Sequence, residues 1–434
     1  MGTIVEMPKY ESYKKSGIDW LGDIPESWEL IANKHIFRLK KKLVGKRASE
    51  YDLLSLTLRG IIKRDMENPE GKFPAEFDTY QEVKSGDFVF CLFDVEETPR
   101  TVGLSAFNGM ITGAYTVMVP LEKYNKKFLY YFYLNLDTGK RLKPLYTGLR
   151  NTISKDTFFG FKTFVPSRNE QNLIAKYLDT KTAQIDEAIA IKEQQINLLK
   201  ERKQIVIQRA VTQGLDQNVL MKDSRVDWIG NIPEHWEVKR AKYIFNEVDE
   251  RSKTGEEELL SVSHMTGVTP RSEKNVNMFM AEDYSGSKLC RENDLVINIM
   301  WAWMGALGVS NQVGIVSPSY GVFRQKVKNT FNPIYLEYLL KSTKYVEYYN
   351  KVSTGLHSSR LRFYGHMLFA MKMAYPPIDE QNKIISHLEK QTSLIDETIK
   401  VQYDQIANLK DYKSSLINSA VTGKIKITPE MVEG

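Results

Sequence analysis

Lys34, Arg38, Lys40, Lys41, Lys42, Lys46 and Arg47 fall within 14 consecutive residues that contain no acid. Cations at this density can neutralise phosphates, and such contacts position a protein on a nucleic acid without reading its sequence. A solvated helix face would account for the same run, and the run alone does not decide between the two. Reading bases takes Arg, Lys, Asn or Gln projecting from loops towards base edges. Candidates of that kind in the first half of the chain are Arg59, Lys63, Arg64, Arg100, Asn108, Arg150 and Asn151. Those in the second half are His264, Arg271, Lys274, Asn311, His357, Arg360 and Arg362. Lys40, Lys41, Lys42 and Arg47 complete the set of expected DNA contacts.

Signatures of bond-making chemistry are mostly absent. No GxxxxGK[ST] loop and no GxGxxG turn occurs, so nucleotide-driven chemistry is not indicated. NPIY at 332–335 lacks the second proline of the Asn-Pro-Pro-aromatic motif of amino-methyltransferases and reads as a helix start with Pro333 in its first turn. ERK at 201–203 has the carboxylate-x-lysine form of some nucleases, but its place on a long helix marks it as charge beside a packing seam. Serines, histidines and acids show no local nucleophile–base spacing, although triads can assemble from distant residues. Two cysteines, Cys91 and Cys290, and six scattered histidines leave no disulfide framework and no metal-ligand cluster. Neither a catalytic residue nor a metal is expected in this chain. Trp301 and Trp303 alternate within an apolar stretch and read as packing, with stacking on bases the lesser alternative.

Composition agrees with a protein that works on an anionic partner. With 42% apolar and 26% charged residues the chain is of ordinary globular type, and its net charge is +6. MGTIVEMPKYESYKK has no apolar core of a signal peptide, and the longest nearly apolar run, 295–309, is too short to span a bilayer. Secreted, membrane and disulfide-stapled classes are therefore not expected.

The elements that must position these residues come twice. DWLGDIPESWE at 19–29 recurs as DWIGNIPEHWE at 227–237, and EQNLIAKYLDTKTAQIDE at 170–187 recurs as EQNKIISHLEKQTSLIDE at 380–397. Weaker echoes keep the same order: DLLSL (52–56) with ELLSV (258–262), GDFVF (86–90) with NDLVI (293–297), TGLR (147–150) with TGLH (354–357), and AVTQG (210–214) with AVTGK (420–424). The 434 residues are thus one unit of about 210 repeated once, too few copies for a solenoid, so each copy needs its own core. The basic run is not repeated: after Lys239, Arg240 and Lys242 the second copy turns acidic at Glu247, Asp249 and Glu250.

Each copy begins with about 150 residues of mixed strand and helix, in which DFVFCLF, YTVMVP and LVINIMW read as strands. FLYYFYLNL (128–136) and IYLEYLLKSTKYVEYYN (334–350) read as buried helices. Each copy ends in a long helix. Leu178, Thr182, Ile185, Ile189, Lys192, Ile196, Leu199, Lys203 and Val206 step by four and three, as do Leu388, Thr392, Ile395, Ile399, Gln402, Ile406, Leu409, Lys413 and Leu416. That is a coiled-coil seam, interrupted by polar residues at matching positions, and each helix is the natural partner of the other. About 40 helical residues rise roughly 60 Å. The expected fold is α+β, internally duplicated, with two globular domains separated by two long helices that pair as an antiparallel coiled coil. The paired Trp20/Trp28 and Trp228/Trp236 flank an Ile-Pro turn and read as a brace where each globular part begins.

DWLGDIPESWE, its copy, and the two helices led by proline and EQ and ending in AVTQG and AVTGK together resemble the specificity subunit of type I restriction–modification systems, over essentially the whole chain and twice in order. The resemblance implies target-recognition domains at 1–165 and 217–375, each reading one half of an asymmetric bipartite site in double-stranded DNA. It implies that 166–216 and 376–427 are spacer helices that dock two adenine methyltransferase subunits, with restriction and translocase subunits joining them. The chain itself would not be an enzyme and would hold no cofactor. S-adenosylmethionine, ATP and Mg would belong to the partner subunits, in the cytoplasm of a bacterium or archaeon. The family's recognition domains vary with the site they read, so no base-contacting residue carries over. Half-sites one helical turn apart lie roughly 34–36 Å from centre to centre. The alternatives are a single-chain DNA-modifying enzyme with a site assembled from distant residues, and a duplicated protein-binding scaffold.

Overall fold

The computed structural model describes residues 7–18, 21–65, 77–146, 151–273, 283–355, 357 and 360–433. Its contacts divide the chain into two compact units, Met1–Lys192 with Tyr403–Gly434, and Glu193–Gln402. Each unit therefore combines one globular part with half of each long helix.

In the first unit the apolar run around Phe88–Phe90 becomes an inner strand of a four-stranded antiparallel sheet, in the order Phe37–Leu39, Thr116–Pro120, Phe88–Phe90, Val102–Leu104. Phe37, Phe88, Phe90, Tyr133 and Phe158 pack about one another with ring centroids 4.8–6.5 Å apart, edge-on or tilted except that Phe88 stacks on Phe90. Such geometries suit the aromatic quadrupole. Helix Lys126–Thr138 lies against strand Val102–Leu104 and buries Phe128, Leu129, Phe132 and Tyr133. A hairpin, Leu54–Thr57 with Gly60–Lys63, packs on that same strand, close enough that a side chain at Gly103 would strike Ile61 and Leu56.

The second unit repeats the sheet in the order Phe245–Glu247, Gly321–Gln325, Leu295–Ile297, Leu307–Val309, and repeats the hairpin as Leu260–Ser263 with Gly267–Pro270. One helix was expected over 334–350, but the chain makes two, Pro333–Lys341 and Thr343–Val352. The break falls at Ser342, whose backbone turns extended (φ −65°, ψ 150°) while its hydroxyl donates to the Leu339 carbonyl at 2.7 Å. A serine can satisfy a carbonyl that a continuing helix would otherwise have bonded.

The long helices are Arg168–Gln213 and Ile378–Val421, of 46 and 44 residues. Their first residues explain why EQN recurs. Glu170 accepts from the indole N–H of Trp28 at 3.1 Å and from the Tyr10 hydroxyl, and Glu380 accepts from Trp236 at 3.2 Å. Gln171 accepts from the Asn125 amide (2.8 Å) and donates to the Pro166 carbonyl (2.9 Å); Gln381 does the same with Asn332 and Pro376, at 2.9 Å each. Asn172 and Asn382 accept from the side chains of Asn125 and Asn332, which cap helices Lys126–Thr138 and Pro333–Lys341. Three adjacent residues thus tie the helix start to the Ile-Pro turn and to the globular core. Trp28 and Trp236 are fully buried, so they are braces, while Trp228 stacks on Tyr348 at 4.7 Å; Trp20 lies outside the described residues.

At the far ends both helices stop at a left-handed glycine, Gly214 (φ 78°) and Gly423 (φ 72°). A Cβ at Gly423 would come within 2.3 Å of the Pro25 ring, so the glycine is needed for space as well as conformation.

Helix pairing is visible inside each unit. In the first, Lys413 donates to Asp186 at 2.6 Å and Lys192 to Gln405 at 2.5 Å, so numbers rise on one helix as they fall on the other, which is antiparallel. In the second, Lys203 donates to Asp396 at 2.6 Å. Leu178, Ile185, Ile189, Ile196, Leu388, Ile395 and Ile406 are buried along the seam, and Leu199, Ile399 and Leu409 are half-buried. Lys192, Lys203 and Lys413 had appeared in the sequence as interruptions of that seam. They are its cross-links, and a polar seam position that finds one partner fixes register. Lys203 of the ERK triplet is accounted for in this way.

Candidate nucleic-acid interface

The basic run does not form a helix face. Lys34 sits in one short 3-10 helix (Asn33–His35), Arg38 in strand Phe37–Leu39, and Lys46 and Arg47 in a second, kinked 3-10 segment (Gly45–Glu50), so the cations share no single helix. The chain here is pinned by the buried Ile36, Phe37 and Val44. The cations divide into two groups. Lys40 is half-buried and pairs with Asp87 (2.8 Å) and Glu82 (3.3 Å), while Lys42 bonds the other Glu82 oxygen at 2.7 Å. Tyr51 adds a third hydrogen bond to Glu82 at 3.0 Å. The ammonium of Lys42, helped by Tyr51 and Lys40 against the cost of burial, holds the Glu82 carboxyl down at about 2. Lys41, Lys46 and Arg47 are exposed and make no ion pair among the described residues.

Of the expected base readers of the first unit, Arg59 and Lys63 lie on its hairpin and Arg64 directly follows it. Arg59 is exposed at the hairpin turn, whose sharpness rests on Gly60 at φ 94°. Lys63 pairs with Asp52 at 2.6 Å and lies over the Phe107 ring, Asn108 accepts from the Ser85 amide, and Arg64 is half-buried. Arg100 is drawn inward, to Asp137 at 3.3 Å and to the Leu58 carbonyl at 3.2 Å. Asn151 is exposed in a left-handed turn (φ 47°) whose carbonyl accepts from Asp94, and Arg150 lies outside the described residues.

In the second unit His264 occupies the corresponding hairpin turn and is exposed. Arg271 begins the turn after the hairpin, and Asn311 is exposed just beyond strand Leu307–Val309. Arg362 bridges back to Thr354, with exposed Arg360 and His357 joined by an amide-to-carbonyl bond of 2.8 Å. Lys274 lies outside the described residues. Trp301, read from the sequence as packing with stacking on bases the lesser alternative, is 47% exposed. Its apolar neighbours hid it, and only the turn they form brings it to the surface.

Thiol chemistry finds no support, since burial pushes the Cys91 and Cys290 thiols up and their hydrogen-bond neighbours are carbonyls and hydroxyls. Among the described residues no cluster of three or more His, Cys, Asp or Glu could hold a metal ion, and no helix is long and apolar enough to cross a membrane.

No protein-family model matches the chain. It is 24% identical over 353 residues to the type I restriction enzyme EcoBI specificity subunit of Escherichia coli, covering 73% of this chain and 70% of that protein. A Methanocaldococcus jannaschii protein assigned as the type I restriction enzyme MjaX specificity subunit is 22% identical over 468 aligned positions, covering 98% and 100%. Two solved structures share the fold at 13% identity. One comes from a study of complex assembly and conformational transition of the type I R-M system, with TM-score 0.63 over 92% of this chain. The other is the HsdS subunit from Thermoanaerobacter tengcongensis, with TM-score 0.52 over 93%.

Proposed function

We propose that the chain is a specificity subunit of the type I restriction–modification family, and that residues 1–165 and 217–375 each read one half of an asymmetric bipartite site in duplex DNA. The helical segments 166–216 and 376–427 set the unspecified spacing between the halves and dock two methyltransferase subunits. Bond making and breaking falls to those subunits and to the restriction subunits, which use S-adenosylmethionine, ATP and Mg in the cytoplasm.

One observation carries this reading. The contacts that seat each long helix repeat residue for residue, Glu170 to Trp28 as Glu380 to Trp236, while the exposed polar and cationic residues on the loops do not repeat. A constant frame with divergent loops suits a machine whose identical partners dock on the frame and whose two readers see different sequences. Within the first unit, Lys41, Lys46 and Arg47 are the cations best placed for phosphates. Lys40 and Lys42 are committed to Glu82, and Arg100 to Asp137.

Mapping adenine methylation across the host genome, with the gene intact and then deleted, tests the proposal. Loss of one asymmetric bipartite motif on deletion is the expected result. Persistence of every such motif, or methyl transfer by the purified chain alone, would overturn it.

A further inference from the structure

Strands Leu295–Ile297 and Leu307–Val309 are joined by a turn that is pinned on several sides. The Asn298 side chain donates to the Val262 carbonyl (3.4 Å) and the Tyr320 hydroxyl (2.9 Å), and the Phe363 amide donates to the Ile299 carbonyl (3.0 Å). Ala302 is fully buried where the turn meets helix Thr343–Val352, and left-handed Gly305 (φ 84°) closes it. This rigid support holds outward a tryptophan. Trp301 is 47% exposed, with Met304 also exposed in the same turn. The Trp303 ring stacks on Trp301 at 6.0 Å and 28°, and is itself fixed by its indole N–H on the Met300 carbonyl (3.0 Å). A large ring held ready in this way has little side-chain freedom left to lose on binding, which favours affinity.

What the ring meets follows from its surroundings and from its absence in the other copy. The bonds of Asn298 and Phe363 place the turn between the hairpin that bears His264 and the segment that bears Arg362. Glu337, the carboxylate facing Gly267 and Gly308, is occupied by Lys341 at 2.8 Å and by the Val309 amide at 3.0 Å. The patch is therefore apolar and flanked by the imidazole of His264 and the guanidinium of Arg362, groups able to donate to base edges or phosphates. In the first unit the same two strands are joined by a polar segment. There Glu96 pairs with Lys143 at 2.6 Å and Phe93 is stacked on Tyr115. A surface that docks two copies of one partner has to recur in both units, whereas a base-reading surface has to differ.

We infer that Trp301 determines specificity, its ring packing on base edges in the half-site read by the second unit, where the thymine methyl is the group its chemistry fits. The inference rests on the specificity-subunit reading, and its test separates the two. Methylation rates of the complex with its methyltransferase subunits are measured on duplexes in which each base pair of the mapped site is changed in turn, for the wild type, Trp301→Ala and Trp301→Phe. Discrimination should fall about tenfold or more at one or two adjacent pairs of the second half-site for Trp301→Ala, less for Trp301→Phe, and not at all in the first half-site. Equal slowing on every sequence, unchanged discrimination, or loss of assembly with the methyltransferase would each overturn it. Should Trp301→Ala fail to fold, Trp301→Phe and Trp301→Met, which keep the bulk, carry the same test. A wild-type complex without bipartite specificity would instead refute the family reading.

Discussion

Asp87 and Asp294 hold the same place in the two copies, just ahead of the inner strands Phe88–Phe90 and Leu295–Ile297, and both are buried. Each accepts the amide three residues earlier, from Lys84 at 2.8 Å and from Arg291 at 2.9 Å. Their cations come from different places. Lys40 reaches Asp87 from the end of strand Phe37–Leu39, whereas Arg324 reaches Asp294 at 2.7 Å from strand Gly321–Gln325. A buried carboxylate must be paired, but the fold does not prescribe which strand supplies the charge. Part of the basic run is therefore internal scaffolding that the second copy provides by other means. Only the remainder of the run is surface charge that the second copy lacks.

That division of labour can be broken at several levels. The largest effect should come from exchanging residues 30–165 for the equivalent region of a relative. One half-site should change completely in a methylation map and the other stay intact; a change in both would mean that the copies do not read independently. Next, the frame should respond alike in both copies. Trp28→Ala and Trp236→Ala should each cost about 3–5 kcal/mol in denaturant unfolding, and a large disparity would show that only one brace matters. A smaller effect is expected from replacing Lys41, Lys46 and Arg47 with Ala. Binding should weaken alike for all sequences, and the dependence of log affinity on log salt should flatten by about 0.9 for each phosphate no longer neutralised. Poorer discrimination between sites would instead make these residues base readers.

The smallest effect concerns acid. Glu82 ionises at about 2 in the folded protein against an ordinary 4.5, so its stabilisation is fully present above pH 4.5 and is lost as the pH falls towards 2. Glu82→Gln should reduce the acid sensitivity of the first unit, read by segment-resolved hydrogen exchange, and leave the second unaltered. An unchanged acid profile would mean that its ion pairs contribute nothing there.

Much of this organisation was legible in the residues. Duplication exposed the frame because both copies must close the same contacts, and the step of four and three marked the helices because burial repeats with the helical turn. Asn332 and Pro333 read correctly as a helix start. The single helix expected over 334–350 was split because Ser342 is a local choice that apolar periodicity does not register. At the candidate interface, residue type alone could not separate Lys41 from Lys40. The difference is Asp87, 47 residues away in sequence, brought close only by the sheet. Trp301 was masked for the converse reason, since a run of apolar residues does not reveal which of them a turn will expose.

The ion pairs between the long helices bear on ancestry. Asp186 and Lys203 on the first helix correspond to Asp396 and Lys413 on the second, at the offset of 210 that relates them. In each of the two ion pairs the aspartate of one helix meets the lysine of the other. A helix carrying both residues at this spacing is complementary to a second copy of itself. A protein half this length would thus have had a ready means of forming a symmetric dimer with two identical halves. Fusion of two such genes would have preserved the joint and released each reader to drift towards a sequence of its own.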